Sequence, residues 1–224
     1  MNVQVLDDPA ERVADLLVEA VEAGGHVVLT GGSTPRRAYE LAASRGVDWS
    51  GATVWFGDER CVPPEHEWSN FAMVEASLLA RLAQPPAVMR MEGELGPDAG
   101  AGAYEAAVRE RVGAEPRWNL LLLGLGPDGH TASLFPSKPE KHVSDRLVVG
   151  VPEAGMEPQV PRISMTLPCL NAARHVVFLV TGASKRQAVR RVFGAEPDPE
   201  SPAAHVRPPA GELTVLLDTE AAAE

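Results

Sequence analysis

Three stretches of this chain, HVVLT at 26–30, WNLLLL at 118–123 and HVVFLVT at 175–181, are almost wholly apolar, and each runs straight into a glycine-containing turn. A strand with one wet face alternates apolar and polar residues, whereas a strand covered on both faces does not. Covered strands joined by helices specify an α/β chain: a mostly parallel sheet with helices on both faces, a Rossmann-like three-layer architecture. In such sheets ligands bind beyond the carboxyl ends of the strands, so the turns after these runs are where chemistry is sought.

The rest of the pattern fits. Asp8-Pro9-Ala10-Glu11 supplies an N-cap, a proline in the first turn and an early acid, and Val13, Leu16, Leu17, Ala20 and Val21 follow at helical spacing until Gly24-Gly25. Further strands are predicted over 3–6, 53–56, 87–91, 147–151, 163–167 and 213–217, the last closing the sheet. Helices are predicted over 35–44, 99–112 and 184–193, and around Phe71, Val74, Leu78 and Leu79. The proline-rich stretch 195–211 reads as a loop crossing the surface. No linker interrupts the pattern, so residues 1–224 read as one domain.

Gly31-Gly32-Ser33-Thr34 follows the first apolar run, with Thr34 read as an N-cap and Pro35 as the first helical residue. Glycines let the backbone approach a ligand, and free N–H groups at a helix start suit a phosphate; a plain strand-to-helix turn is the equal alternative. Asp58-Glu59-Arg60 come straight after the run ATVWF and read as a charged loop at the sheet's active edge. Residues 124–130, GLGPDGH, contain the G-x-G-x-x-G spacing of dinucleotide sites. That reading is rejected, because Phe135-Pro136 cuts any following helix to about a turn and a half and Pro127 removes a backbone donor. The loop instead presents Asp128 and His130. Imidazole is a suitable base near neutral pH, and a carboxylate beside it can fix its tautomer. His26, His142, His175 and His205 read as surface or structural residues, and His66, near the charged loop, stays open.

Two more cations stand out. Lys185 is expected in the first turn of a helix, where its charge opposes the helix dipole unless an anion sits there too. Arg162, heading the run RISMTL, is either a surface charge or a second anion clamp. A formal charge of −11 excludes an extended nucleic-acid or anionic-membrane surface. Cys61 and Cys169 are too few for a disulfide scaffold, and Cys61 with His66 makes no metal site, so no metal and no cofactor are expected. No apolar run approaches the roughly 18–20 residues of a membrane span, and the first residues lack a secretory pattern, which makes the cytoplasm the expected compartment. The nucleophile elbow, the phosphate loop with its G-K-[ST] and H-E-x-x-H are all missing.

Taken in order, GGSTP, DER-x-VP followed by SN, and GPDGHTASLFP resemble the 6-phosphogluconolactonases, and the likeness continues through PRISMTL, TGASK and HVRP over nearly the whole chain. The resemblance implies hydrolysis of 6-phospho-D-glucono-1,5-lactone to 6-phosphogluconate in the oxidative pentose phosphate pathway. In that reading His130 takes a proton from water, Asp128 either supports His130 or binds sugar hydroxyls, and N–H groups of the glycine loops, Gly129 included, stabilise the oxyanion. Arg60, Arg162 and Lys185, with Gly31, Gly32, Ser33 and Thr34, are candidates for the phosphate, while Asp58, Glu59 and Asn70 contact the polyol or orient Arg60. The expected partner is a small sugar-phosphate lactone, with no nucleic acid, membrane or obligate protein partner. Glucosamine-6-phosphate deaminases are the alternative: they share the GSTP and DGH loops, but carry DEY where this chain has Asp58-Glu59-Arg60 and IAFNEP where it has TASLFP at 131–136. A non-catalytic sugar-phosphate sensor is a third reading, one that would need a DNA-binding module for which no basic helix is seen. The stretch from Cys61 to Trp68 departs from the pattern and is expected to alter rim contacts without touching the central residues.

Overall fold

The computed structural model describes residues 1–223. Seven strands form one all-parallel sheet: β1 (Asn2–Val5), β2 (Gly25–Leu29), β3 (Ala52–Phe56), β5 (Ala87–Val88), β6 (Leu120–Leu123), β9 (His175–Val180) and β10 (Glu212–Leu217). Their order is β1-β10-β9-β6-β2-β3-β5. A second, antiparallel sheet of β4 (Asp58–Arg60), β8 (Arg162–Met165) and β7 (Val148–Val151) has β8 at its centre. The helices are α1 (Pro9–Glu22), α2 (Arg36–Ser44), α3 (Asn70–Ser77), α4 (Pro97–Arg111), α5 (Leu167–Leu170), α6 (Arg186–Phe193) and α7 (Thr219–Ala222).

The apolar runs become the central strands for the expected reason. All four leucines of β6 are buried, as are Val27–Leu29 of β2 and Val176–Val180 of β9, so the middle of the sheet is covered on both faces. Each such side chain contributes about 1.5–3 kcal/mol of hydrophobic burial. The start of α1 follows its sequence signals: Asp8 Oδ1 accepts from Ala10 N–H at 3.2 Å, Pro9 opens the helix, and Val13, Leu16, Leu17 and Val21 are buried.

Several expectations are corrected. Residues 58–60 are not a loop: they form β4, because their backbone pairs with β8 in the register Asp58↔Ser164, Glu59↔Ile163 and Arg60↔Arg162. Thr34 is not the cap of α2. The chain turns once more, the Pro35 carbonyl accepts the first helical hydrogen bond from Tyr39 N–H, and the helix starts at Arg36. No helix follows residue 130; Thr131 and Leu134 close a tight turn instead. Lys185 lies in a short 3-10 turn, one residue ahead of α6. Residues 213–217 sit inside the sheet, since β1 is the edge beyond β10. The stretch 195–211 is no simple surface loop: Ser201, Pro202, Ala203 and Val206 are buried, and a 3-10 turn spans Pro202–His205.

From β2 the chain builds outward through β3 and β5 on one side, and from β6 through β9 and β10 on the other. The turns after β2 and β6 therefore diverge above adjacent strands, which opens a crevice at the switch point of the sheet.

Candidate active site

A cleft of about 260 Å³ occupies that crevice. It is lined by the turn after β2 (Thr30 to Pro35), the turn after β6 (Gly124 to Pro127, with His130 and Ala132) and the end of β9 with its following turn (Leu179 to Thr181, and Lys185). Asp58, Arg60, Asn70, Met156 and Arg162 complete the wall.

The strand ends under these turns are clipped by the chain's two tyrosines. Tyr39 Oη on α2 donates to Thr30 O at 2.7 Å and accepts from Thr30 N–H at 3.1 Å. Tyr104 Oη on α4 does the same for Phe56, donating at 3.1 Å and accepting at 2.8 Å. Both phenols are fully desolvated, which pushes their pKa up and keeps them as neutral two-way partners. Thr30 and Phe56 are the residues from which the GGST turn and β4 depart, so both segments leave from fixed points.

His130 Nδ1 lies 2.6 Å from Asp128 Oδ1. Burial opposes ionisation of this carboxyl, but the hydrogen bond and charge interaction with His130 together hold it below the usual aspartate range. Against a carboxylate, Nδ1 carries the proton and donates, which leaves Nε2 able to accept one from a bound molecule. Asp128 Oδ1 also accepts from His130 N–H at 3.1 Å. The His130 ring packs on the buried Phe135, ring centres 4.7 Å apart, and the Arg162 guanidinium carbon sits 5.9 Å from the centre of that phenyl ring. Asp128 and Gly129 do not line the cleft; they stand behind His130.

Three cations face the cleft, and none forms an ion pair with a carboxylate among the described residues. Arg162 is 4% exposed and donates only to carbonyls, to Pro158 O at 3.0 Å and Val160 O at 3.3 Å. Burial lowers its pKa. Arg60 stands opposite it in the β4–β8 register and donates to Trp68 O at 2.6 Å, while its buried Nε has no partner among the described residues. Lys185 Nζ donates to Leu125 O at 2.7 Å, and burial lowers its pKa too. For Arg162 and Lys185 desolvation outweighs the attraction of Asp58 and Glu59 and of Asp128 respectively, which is costly, and a bound anion would offset that cost.

The acidic residues of β4 divide by role. Asp58, 6% exposed, lines the cleft; its Oδ2 accepts from Ser133 Oγ at 2.6 Å and its Oδ1 from Asn70 Nδ2 at 3.2 Å. Glu59 points away from the cleft. Its carboxylate accepts from the N–H groups of Arg60, Asn70 and Phe71 at 2.7–2.8 Å and from Ser69 Oγ at 3.1 Å, which fastens β4 to the start of α3. Burial nevertheless pushes its pKa above the usual range, since desolvation outweighs the N–H donors. Asn70 Oδ1 is buried beside Gly31 and makes no hydrogen bond among the described residues.

Of the residues singled out in the sequence, Gly31, Gly32, Ser33, Thr34, Asp58, Arg60, Asn70, His130, Arg162 and Lys185 come together in one cleft, whereas Glu59, Asp128 and Gly129 lie behind its wall. The stretch from Cys61 to Trp68 does touch a central residue, through the Trp68 carbonyl on Arg60. The structure adds Ser133, the two tyrosines, Ala132 and Met156 to the residues that form or support the cleft. Ala132 has φ +47, a left-handed conformation rare for a residue with a side chain. It is held between Thr131, whose Oγ1 donates to Gly124 O, and Ser133. Among the described residues no group of three or more His, Cys, Asp or Glu is arranged to hold a metal, and no helix is long and apolar enough to cross a membrane.

Residues 2–215 match the family described as glucosamine-6-phosphate isomerases/6-phosphogluconolactonase. A 6-phosphogluconolactonase of Synechocystis is 39% identical over 203 residues, covering 88% of this chain and 83% of its own length. One of Nostoc is 36% identical over 240 residues, covering 100% of this chain and 98% of its own. Among solved structures, the 6-phosphogluconolactonase from Trypanosoma brucei superposes with a TM-score of 0.84 at 26% identity, over 99% of this chain and 97% of that one.

Proposed function

Because the chain belongs to the glucosamine-6-phosphate isomerase/6-phosphogluconolactonase family, we propose that it hydrolyses 6-phospho-D-glucono-1,5-lactone to 6-phosphogluconate, with His130 as the base. The observation that carries this reading is the meeting, in one cleft of a chain of charge −11, of three cations without carboxylate partners and a histidine oriented by a carboxylate. The substrate has a phosphate for the cations and an electrophilic carbonyl for the histidine.

Water bound between His130 Nε2 and the lactone C1 gives up a proton to Nε2 as its oxygen adds to C1. The negative charge that develops on the carbonyl oxygen is met by backbone N–H groups of the glycine turns. The C1–ring-oxygen bond then breaks, and the ring oxygen leaves with the proton from Nε2, which returns His130 to its starting state. Asp128 stabilises the imidazolium in between. A positioned base contributes about 10²–10⁴-fold, enough for a δ-lactone, which also opens unaided. Arg60, Arg162 and Lys185, with the turn Gly31 to Thr34, hold the phosphate; Asp58 and Asn70 face the sugar hydroxyls. The partner is a diffusing sugar phosphate, and the compartment we infer is the cytoplasm.

The test is hydrolysis of freshly made lactone by the purified protein above the spontaneous rate. Acceleration that disappears in His130→Ala, with substrate affinity little changed, is expected. Ammonia release from glucosamine 6-phosphate without lactone hydrolysis would overturn the reading in favour of deamination.

A further inference from the structure

The loop carrying Asp128 and His130 does not hold its shape alone. Its internal hydrogen bonds, Gly126 N–H to His130 O at 2.8 Å and Gly129 N–H to Gly126 O at 3.0 Å, close the loop but leave the carbonyls of Asp128 and Gly129 pointing away from it. Both are taken up by the region after α6 begins. Arg191, on that helix, donates from a guanidinium nitrogen to Asp128 O at 3.2 Å, and Ala203 N–H donates to Gly129 O at 3.1 Å.

Arg191 is itself held in place. Its carbonyl accepts from Asp198 N–H at 2.8 Å, and its Nε lies 3.9 Å from Asp198 Oδ2. Asp198 Oδ2 in turn accepts from Ser201 Oγ at 3.0 Å. Ser201 is fully buried against Gly129, so closely that a methyl group at 129 would lie 2.8 Å from Ser201 Cβ. Gly129 has φ +90, which only glycine adopts without strain. The two peptides that join the orienting acid to the base through Gly129 therefore sit between a guanidinium on one side and a buried serine on the other.

We propose that Arg191 is a positioning residue for the reaction: through its charge-assisted hydrogen bond to Asp128 O, it sets the plane of the 128–129 peptide and hence the Asp128–His130 geometry. The inference rests on the lactonase reading for its kinetic consequence but not for its structural one. Arg191 does not line the cleft, so its loss acts on the chemical step rather than on substrate binding. A displacement of about 1 Å in a catalytic group can cost as much as 10²-fold. A guanidinium bond to a carbonyl fixes less than that, so about a tenfold loss is expected.

The experiment compares Arg191→Ala and Arg191→Lys, in the otherwise native protein and in an Asp128→Ala background. In the native background, Arg191→Ala should lower kcat about tenfold with KM within about twofold, and Arg191→Lys should restore part of the loss. In the Asp128→Ala background, where no carboxylate remains to be aimed, removing Arg191 should change kcat by less than twofold. An equal fractional loss in both backgrounds, or a rise in KM as large as the fall in kcat, would overturn the proposal. The ¹⁵N shifts of the His130 imidazole give a readout independent of turnover. In Arg191→Ala they should move from a fixed Nδ1–H tautomer towards a mixture; unchanged shifts overturn the proposal even if the protein proves to have no lactonase activity. Should unmodified protein fail to hydrolyse lactone while the shifts move as expected, the functional reading fails and the positioning role stands.

Discussion

The sharpest perturbation of the site is a single methyl group at residue 126. Gly126 has no left-handed backbone requirement, so alanine fits its conformation; the conflict lies in the side chain alone. A Cβ there would lie 2.6 Å from His130 Cγ and nearer still to Nδ1 and Cε1, where ordinary contact begins at 3.4 Å. The imidazole must retreat by at least about 1 Å, and the atom most crowded is Nδ1, the one that Asp128 holds at 2.6 Å. A shift of that size in a general base costs about 10²-fold in rate, or about 2.7 kcal/mol of barrier. The stability cost is smaller. Asp128 is 36% exposed on its side chain, so the lost charge-assisted bond is screened to about 1 kcal/mol, a fall of a few degrees in Tm. The assay is initial-rate lactone hydrolysis on Gly126→Ala, with the melting temperature measured on the same preparation. The expected outcome is kcat down about 10²-fold, KM within about threefold and a folded protein. A folded variant with native kcat would refute the claim that the chemistry depends on where the His130 ring stands.

Other expectations are as direct. Burial lowers the Lys185 pKa, so the folded state favours its neutral form more than the unfolded chain does, and stability gains as pH rises through the lowered value towards 10.5. A bound phosphate reverses that preference, so 6-phosphogluconate binding at alkaline pH should take up a proton; calorimetry in two buffers of different ionisation enthalpy measures it, and equal uptake in Lys185→Met would contradict the assignment. Arg162→Met should raise KM at least about tenfold with Tm little changed, because the cost of desolvating the guanidinium offsets its bonds to the Pro158 and Val160 carbonyls. A lower Tm with unchanged KM would make Arg162 structural. Ser133→Ala removes the donor on Asp58 Oδ2 and should cost about 1.5–3 kcal/mol in urea unfolding; a loss below about 0.5 kcal/mol would mean the bond is not a tie between β4 and the His130 loop.

The parts of this molecule that could be read in the sequence are those governed by local rules. The unbroken apolar runs at β2, β6 and β9 could only be doubly covered strands, and that located the three turns that meet in the cleft. The cap at Asp8 and the proline beside it likewise carried their own meaning. Position 58–60 misled because charge normally signals solvent: here Asp58 and Glu59 are buried and satisfied by Ser133, Asn70 and the N–H groups at the start of α3, partners 10–75 residues away. The tyrosine clips were hidden for a similar reason, since Tyr39 and Tyr104 sit on the apolar faces of α2 and α4 and look like packing. Arg191 and Ser201 lie between the TGASK and HVRP segments, in a helix and a proline-rich stretch, but belong to neither motif. No local pattern links either one to His130, and only the return of the chain past β9 brings them there.

The place of β1 has a consequence for how the protein is made. β1 is synthesised before every other strand, yet the one strand it pairs with, β10, is the last to appear. At about 5–20 residues per second, the stretch from Val5 to Glu212 takes roughly 10–40 s to emerge, and β1 waits unpaired throughout. Its sequence suits the wait: Asn and Gln alternate with Val, and most of the strand stays exposed even in the finished sheet, so it offers little surface for premature aggregation. The β2–β6–β9 centre that carries the cleft can pair fully once β9 has been made. On the ribosome the turns that line the cleft can therefore come together before the sheet acquires its two last-joined strands, while the backing from Ser201 and Ala203 arrives in the interval between.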